Sequence, residues 1–423
     1  MPANDEKGDD RRRILEAQIN LILNGVPGGD GGLEGAAVWP PDWAKTGQDV
    51  QYLYRERSLL VRDAEVGRVR EIVPSTPVEH DDNVRGVTLL QLADEETRSV
   101  DEVCAILDRI LGEGVATPDH IFHLCPDSIC PATEPEEVPQ DAGPCPPVST
   151  DDACDGTGVM VAVLDTGWLR EAESHTWLTG VTGQLEEAFG GNPVRILPYA
   201  GHGTFVAGVV RTMAPKADVW VGRTFKKVGA TFESHLVKRM SEALKMGAEV
   251  ISMDFGTNTR KDIPSLGFEI VEQQLEYHPS VVLVAAAGNN SSRRPFWPAA
   301  YCWTVSVGAL DTDCDARAYF SDYGSWVDVY APGQDLVNAF ATGNYQCDEP
   351  PNTGQWRTFN GMCKWSGTSF STPIVSGLIA ARISATGENG PQAAQALLTR
   401  ARAQTRPHVG PVILPGQACC DPA

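Results

Sequence analysis

No stretch of this 423-residue chain stays apolar for the roughly 20 residues that a helix needs to cross a bilayer, so no helical membrane span is expected. Basic residues are scarce: 34 Lys and Arg stand against 56 Asp and Glu, for a formal net charge of −22. Nucleic acid and anionic membrane surfaces would repel such a molecule, and neither is expected as a partner. The 11 cysteines are too sparse for a fold stapled by disulfides. Their number is odd, so at least one thiol is unpaired within the chain, although a Cys347–Cys363 bridge would close a polar insertion. A secretory signal is also missing. Basic residues do precede ILEAQINLILNGV, but Glu16, Gln18 and Asn20 interrupt the run and no small-residue cleavage site follows. That stretch reads as an amphipathic helix, and the expected location is the cytoplasm.

What is present describes a globular protein, 42% hydrophobic and 21% charged, long enough for one large α/β domain and a smaller one. Four regions are expected. Residues 1–46 hold the amphipathic stretch and a Gly-rich segment. Residues 47–125 alternate strand and helix: QYLYRERSLLVR, DAEVGRVREIV, VRGVTLLQLAD, SVDEVCAILDRILG and HIFHL. Residues 126–150, with seven prolines and a cluster of acids, read as an unpacked linker open to nicking. From 151 to 423, strands alternate with helices, which points to a mostly parallel sheet with helices on both faces.

Four motifs in that last region carry the chemistry. In GVMVAVLDTGW the apolar run Val159–Leu164 suits a strand buried on both faces, with Asp165 at its carboxyl end, where sites form in open α/β sheets. Asp before Thr-Gly is also an ordinary turn. In GHGTFVAGVV, His202 stands between two glycines at the start of a helical pattern; the glycines admit a close approach, though a lone histidine is more often structural. SVVLVAAAGNN ends an apolar strand in Gly288 and Asn289, a turn signal whose amide is also a donor suited to an oxyanion. WSGTSFSTPIVSG places Ser369 at the head of an apolar helix. Capping would explain it, and so would a nucleophile whose developing anion meets free N–H groups and the helix dipole.

The order Asp165, His202, Asn289, Ser369, with VAVLDTG, GHGTFVAG, AAAGN and GTSFSTPIVSG at matching spacing, resembles the subtilisin-like serine proteases over about residues 156–405. The resemblance implies an endopeptidase acting through an Asp-His-Ser triad. Ser369 would be the nucleophile, His202 its base, Asp165 the group orienting the imidazole, and Asn289 a donor of the oxyanion hole. It also implies that Asp254, Phe255, Gly256, Ala287, Gly288 and Phe296 lie along the substrate cleft. Phe370-Ser371 replaces the family's Met-Ala, and Asp254 replaces a serine. The Asp254 carboxylate either favours basic residues near the cleaved bond or turns away into hydrogen bonds. Phe296 would narrow the pocket for the side chain at the cut. No cofactor is expected; Asp311, Asp313 and Asp315 alternate as calcium ligands sometimes do but read as a solvated turn. Region 47–125 resembles the family's propeptides in pattern only. It is expected to cover the cleft with His120–Cys125 near Ser369, as intramolecular inhibitor or as adaptor. Protein or peptide substrates are the other expected partner. A catalytically silent scaffold of the same fold is the rival reading.

Overall fold

A computed structural model describes residues 3–26, 31–78, 85–124, 134–225 and 228–416. Its centre is a seven-stranded, all-parallel sheet. The strands run side by side as Val329–Pro332, Val305–Leu310, Val282–Ala286, Val250–Met253, Met160–Asp165, Asp218–Arg223 and Thr182–Gly183. The middle strands are buried and largely apolar because both faces are covered, with Ser252 the polar exception in Val250–Met253. The sheet starts with Met160–Asp165, builds outward on one side, and the chain then returns to lay Val250–Met253 against the first strand's other edge. That reversal opens a crevice at the carboxyl ends of these two strands.

Helices His202–Met213, Thr368–Thr386 and Gly390–Ala403 cover one face, and Glu233–Lys245 and Leu266–Leu275 pair on the other. The first two cross closely because Gly377 has no side chain. A Cβ there would lie 2.6 Å from the Met213 Cβ and 2.8 Å from the Val210 carbonyl oxygen. Pro373 lies beyond the first turn of its helix, where its missing N–H removes the bond to the Ser369 carbonyl.

The N-terminal module has the expected alternation: strand Tyr52–Arg62, helix Val66–Ile72, strand Val87–Leu92, helix Val100–Leu111, strand Ala116–His123. It starts earlier than residue 47, because strand Ala36–Trp39 pairs with Tyr52–Arg62. The expected N-terminal helix spans Ala3–Asn24 and docks Ile19 and Ile22 into the main core. Apolar contacts also join module to catalytic domain: Leu60, Val87 and Leu89 pack on Leu266 and Ile270.

Two expectations are corrected. Residues 134–150 are not a loose linker; they add bridges to the long hairpin Leu336–Gln346/Trp356–Trp365. Glu136 and Lys364 exchange backbone bonds of 2.9 Å, and Cys145 and Val337 do so at 2.8 and 3.0 Å. The prolines are tolerated because such isolated bridges need only single N–H donors. Residues 126–133, the rest of the expected linker, lie outside the described residues. Nor is there a Cys347–Cys363 bridge: both are free buried thiols, and Cys154 is the disulfide-bonded residue among those described. The two thiols sit at different levels of the hairpin, Cys363 opposite Asn338 and Cys347 beyond the Gln346–Trp356 pair. Among the described residues no helix is long and apolar enough to cross a membrane.

Gly377→Val forces a branched side chain onto a backbone carbonyl that cannot move away. It is expected to destabilise the fold by about 1–3 kcal/mol, read as a lower urea midpoint at unchanged slope. An unchanged midpoint would contradict the close crossing.

Candidate active site

Asp165 closes its strand at the crevice, fully buried, and the chain then turns. His202 opens its helix behind Gly201, whose left-handed backbone (φ +81°) lets the chain enter the first turn against the Phe340 ring. The two elements are tied by the Gly203 N–H on Thr166 Oγ1 at 3.1 Å and the Leu169 N–H on Thr204 Oγ1 at 3.0 Å. His202 Nδ1 then meets Asp165 Oδ1 and Oδ2 at 2.9 and 2.8 Å, and Oδ1 also accepts the Thr166 N–H at 2.7 Å. With Nδ1–H donating to the carboxylate, Nε2 is left as the acceptor nitrogen. It is buried and has no partner among the described residues. Trp365 and Phe370 enclose the imidazole, with ring centroids 5.4 and 5.1 Å away.

Ser369 is the second residue of its helix, and Thr368 before it orients the amide of Asn289. Asn289 Oδ1 accepts both the Thr368 N–H (2.9 Å) and its hydroxyl (3.1 Å), and the Gly288 N–H donates to that same hydroxyl at 3.1 Å. Spending Oδ1 on Thr368 leaves the Nδ2 donors for another group. Ser369 Oγ donates to the Asp254 carbonyl at 2.9 Å and lies 3.4 Å from the Leu124 carbonyl oxygen. The Ser–His hydrogen bond is therefore not made in this arrangement.

Leu124 belongs to the N-terminal module. Residues Ile121–His123 pair antiparallel with Ala230–Phe232, and the Leu124 N–H continues this edge onto the Gly229 carbonyl at 3.0 Å. On the other edge His123 and Gly256 exchange two bonds of 3.1 Å. The module thus threads a strand between two catalytic-domain edges, up to the nucleophile. Cys125, also expected near Ser369, lies outside the described residues. Buried polar contacts hold the module in place. His120 Nδ1 meets Glu233 Oε2 at 3.1 Å while its Nε2 accepts the Arg260 N–H at 3.2 Å, and Arg260 bridges Asp101 and Asp108 at 2.8 Å each. A cavity of about 800 Å³ flanks this strand, lined by Thr166, Glu186, Arg223, Phe225, Phe232 and the module's Arg55.

The other sequence candidates divide. Phe255 and Phe296 face the module strand, their rings touching Phe122 and His123. Gly256 lies on its pairing edge, and Gly288 directly precedes Asn289. Ala287 is spent on the sheet, its N–H bonded to Val307. Asp254 does not face the substrate path: its side chain is fully buried, with Oδ2 accepting from Ser252 Oγ at 3.0 Å, and only its carbonyl reaches Ser369. A basic preference resting on that carboxylate is therefore withdrawn. Burial, reinforced by the Asp165 carboxylate, pushes its pKa well above the usual range. Sequence reasoning missed Thr368, Thr166 and Glu186. Glu186 is half-buried with its carboxyl turned inward to accept the Gly201 N–H at 2.9 Å, and burial pushes it up to about 8. Thr368 and Thr166 had the signal of standing next to Ser369 and Asp165 in the chain; Glu186 had none. Asp311 caps its own exposed turn through the Asp315 and Ala316 N–H groups, and among the described residues no group of three or more His, Cys, Asp or Glu could hold a metal.

Fold and site together define a parallel α/β protein with an Asp-His pair, a helix-borne serine and an asparagine donor at the carboxyl edge of its sheet. The subtilase family model matches residues 156–410, and the chain belongs to that family. It is 32% identical over 253 residues to a thermophilic serine proteinase of Bacillus sp. (strain AK1), covering 57% of this chain and 56% of that one. It is 30% identical over 240 residues to thermitase of Thermoactinomyces vulgaris, covering 54% and 75%. The chain thus spans little more than half the length of the first of these relatives. In fold it is similar to fervidolysin from Fervidobacterium pennivorans, a keratinolytic enzyme related to subtilisin. The TM-score is 0.58 at 19% identity, over 85% of this chain and 60% of that one.

The raised Asp254 sets the sign of a pH effect. Its folded state keeps a proton that the unfolded chain releases, so stability falls as pH rises from the ordinary carboxylate range towards the raised folded pKa. In a Ser369→Ala background, which prevents self-digestion, Asp254→Asn is expected to lessen that decline in urea melts taken from pH 5 to 8, leaving the share that Glu186 and the other raised carboxyls contribute. Parallel curves for the two chains would show that Asp254 is not held protonated.

Proposed function

We propose that this protein is a serine endopeptidase that hydrolyses peptide bonds through an acyl-enzyme. The observation that carries the reading is the buried Asp165–His202 pair, which aims an unpartnered Nε2 into the crevice beside Ser369. Ser369 Oγ adds to the scissile carbonyl as His202 Nε2 takes its proton. Asn289 Nδ2 and the Ser369 N–H hold the oxyanion, a contribution of about 3–4 kcal/mol for a side-chain donor of this kind. His202 then returns the proton to the leaving amine, and water hydrolyses the ester by the same route in reverse.

The module strand supports a second element of the reading, restraint by residues 31–124. Its end occupies the path a substrate would take, and its Leu124 carbonyl lies 3.4 Å from Ser369 Oγ, which donates to the Asp254 carbonyl and makes no bond to His202. Cleavage after this strand would let its end leave the crevice and open Ser369 to a substrate. The alternative of a silent scaffold has no chemical use for all four residues together.

Ser369→Ala, His202→Ala and Asp165→Asn are each expected to lower turnover by roughly 10⁴-fold or more, and double variants to add little further. A fluorophosphonate probe should label the wild type and not Ser369→Ala; failure to label any form would favour the scaffold. Wild-type chain is also expected to cut itself, giving a new N-terminus between Cys125 and Glu134 that is absent in Ser369→Ala. Hydrolysis of an added peptide should rise as the full-length band declines. Full activity from uncut chain would favour an adaptor role for the module.

A further inference from the structure

His202 stands between two residues that cannot help to hold it. Gly201 is the N-cap of the helix and, having no side chain, offers the first turn no local acceptor. Neither position has room for one: a Cβ on Gly201 would lie 2.8 Å from the Phe340 ring, and one on Gly203 would lie 2.7 Å from the Gly167 carbonyl oxygen. In a capping box, a Glu or Gln three residues on would accept the N-cap N–H. Thr204 stands there instead, with Oγ1 spent on the Leu169 N–H. The acceptors come from elsewhere in the chain. Glu186 Oε2 accepts the Gly201 N–H at 2.9 Å, and Thr166 Oγ1 accepts the Gly203 N–H at 3.1 Å. The Thr166 hydroxyl in turn donates to the Glu186 carboxyl. One carboxyl thus grips the backbone on both sides of His202, directly before it and through one hydroxyl after it.

Glu186 is itself held in a fixed frame. Its N–H donates to the Trp168 carbonyl at 3.1 Å, the Trp168 N–H to the Gln184 carbonyl at 2.8 Å, and the Arg223 N–H to Gln184 Oε1 at 2.8 Å. The carboxyl is thereby set against both the turn that leaves Asp165 and the neighbouring strand Asp218–Arg223. Burial pushes its pKa up to about 8, so both its forms are present near neutral pH. Each form keeps an oxygen that can accept the Gly201 N–H, and the grip does not depend on the charge. Among the described residues its hydrogen bonds go to the His202 segment and the Asp165 turn, not to the strand along the substrate path.

We propose that Glu186 is a positioning residue for the hydrolysis: by holding the N–H groups that flank His202, it fixes where the imidazole stands between Asp165 and Ser369. The proposal rests on the endopeptidase reading above and adds a residue outside the four already assigned. Two glycines beside His202 give the backbone its greatest freedom where the geometry must be tightest. A displacement of about 1 Å at a reacting group can cost roughly 10²-fold in rate. The tether acts on the base and not on the bound peptide, so its loss is a loss of kcat and not a rise in KM.

The test measures kcat and KM for an added peptide in the processed protein, with the fraction labelled by a fluorophosphonate at saturation counting the folded sites. Glu186→Ala should lower kcat per labelled site by roughly ten- to a hundred-fold with KM unchanged. Glu186→Gln should recover most of that rate, because its amide oxygen can still accept the Gly201 N–H while its NH2 group donates to Thr166 Oγ1. Thr166→Val removes the second link in a side chain of similar shape and should show the same kind of kcat loss; if the alanine variant does not fold, this variant decides. A role in stability alone would reduce the labelled fraction and leave the rate per site unchanged, and that result overturns the proposal. So does a glutamine variant as slow as the alanine one, or a change in KM at unchanged kcat. Wild type that neither labels nor cleaves would instead overturn the endopeptidase reading, and this proposal with it.

Discussion

A carboxylate and an imidazole, both without solvent exposure, meet between Asp165 and His202, and much of the structure serves that hydrogen bond. A buried charged group is tolerated only when its lone pairs are met; stripping one partner from such a pair costs about 3–5 kcal/mol. Here the His202 N–H and the Thr166 N–H meet them. The requirement propagates outward. The first strand must end at Asp165, the helix must begin at His202, and Gly201 must take a left-handed turn between them. The rings of Trp365 and Phe370 then close the imidazole against water, so that its one free nitrogen faces the crevice.

The serine side is built on the same economy of polar groups. Thr368 occupies one end of the Asn289 amide and thereby points the other, while the helix it begins presents unpaired N–H groups at the place where negative charge would develop. Gly256 and Gly288 at the crevice carry no side chain, and the Phe296 ring lies against both positions.

The N-terminal module enters the crevice through backbone hydrogen bonds, which do not depend on side-chain identity, and adds a strand to a catalytic-domain edge. Its polar contacts are less forgiving. His120 with Glu233, and Arg260 with Asp101 and Asp108, are at least partly removed from water and match only in this docking. Covalent attachment keeps the module at high effective concentration over the cleft, so a modest intrinsic affinity suffices to hold it there.

How far the sequence reached can be argued from individual residues. Asp165, His202, Asn289 and Ser369 were legible because each sits at an element end announced by a local pattern: an apolar run, a glycine pair, a Gly-Asn turn, a Ser/Thr cluster before a helix. The module's alternation was legible for the same reason, since helix and strand periods are local properties of the chain. Residues whose role depends on distant partners were not. Asp254 reads identically whether its carboxyl faces substrate or Ser252, because rotation about one bond decides between them and the packing of the helix behind decides the rotation. The prolines of 134–150 suggested a loose linker, but single bridges to Val337 and Lys364 hold the segment against a hairpin some two hundred residues away. Glu186 carries no motif at all. Local chemistry in the sequence determined where the Asp, His, Asn and Ser stand at element ends; long-range packing decided what Ser369 bonds to and what covers it, because those depend on contacts that no local pattern encodes.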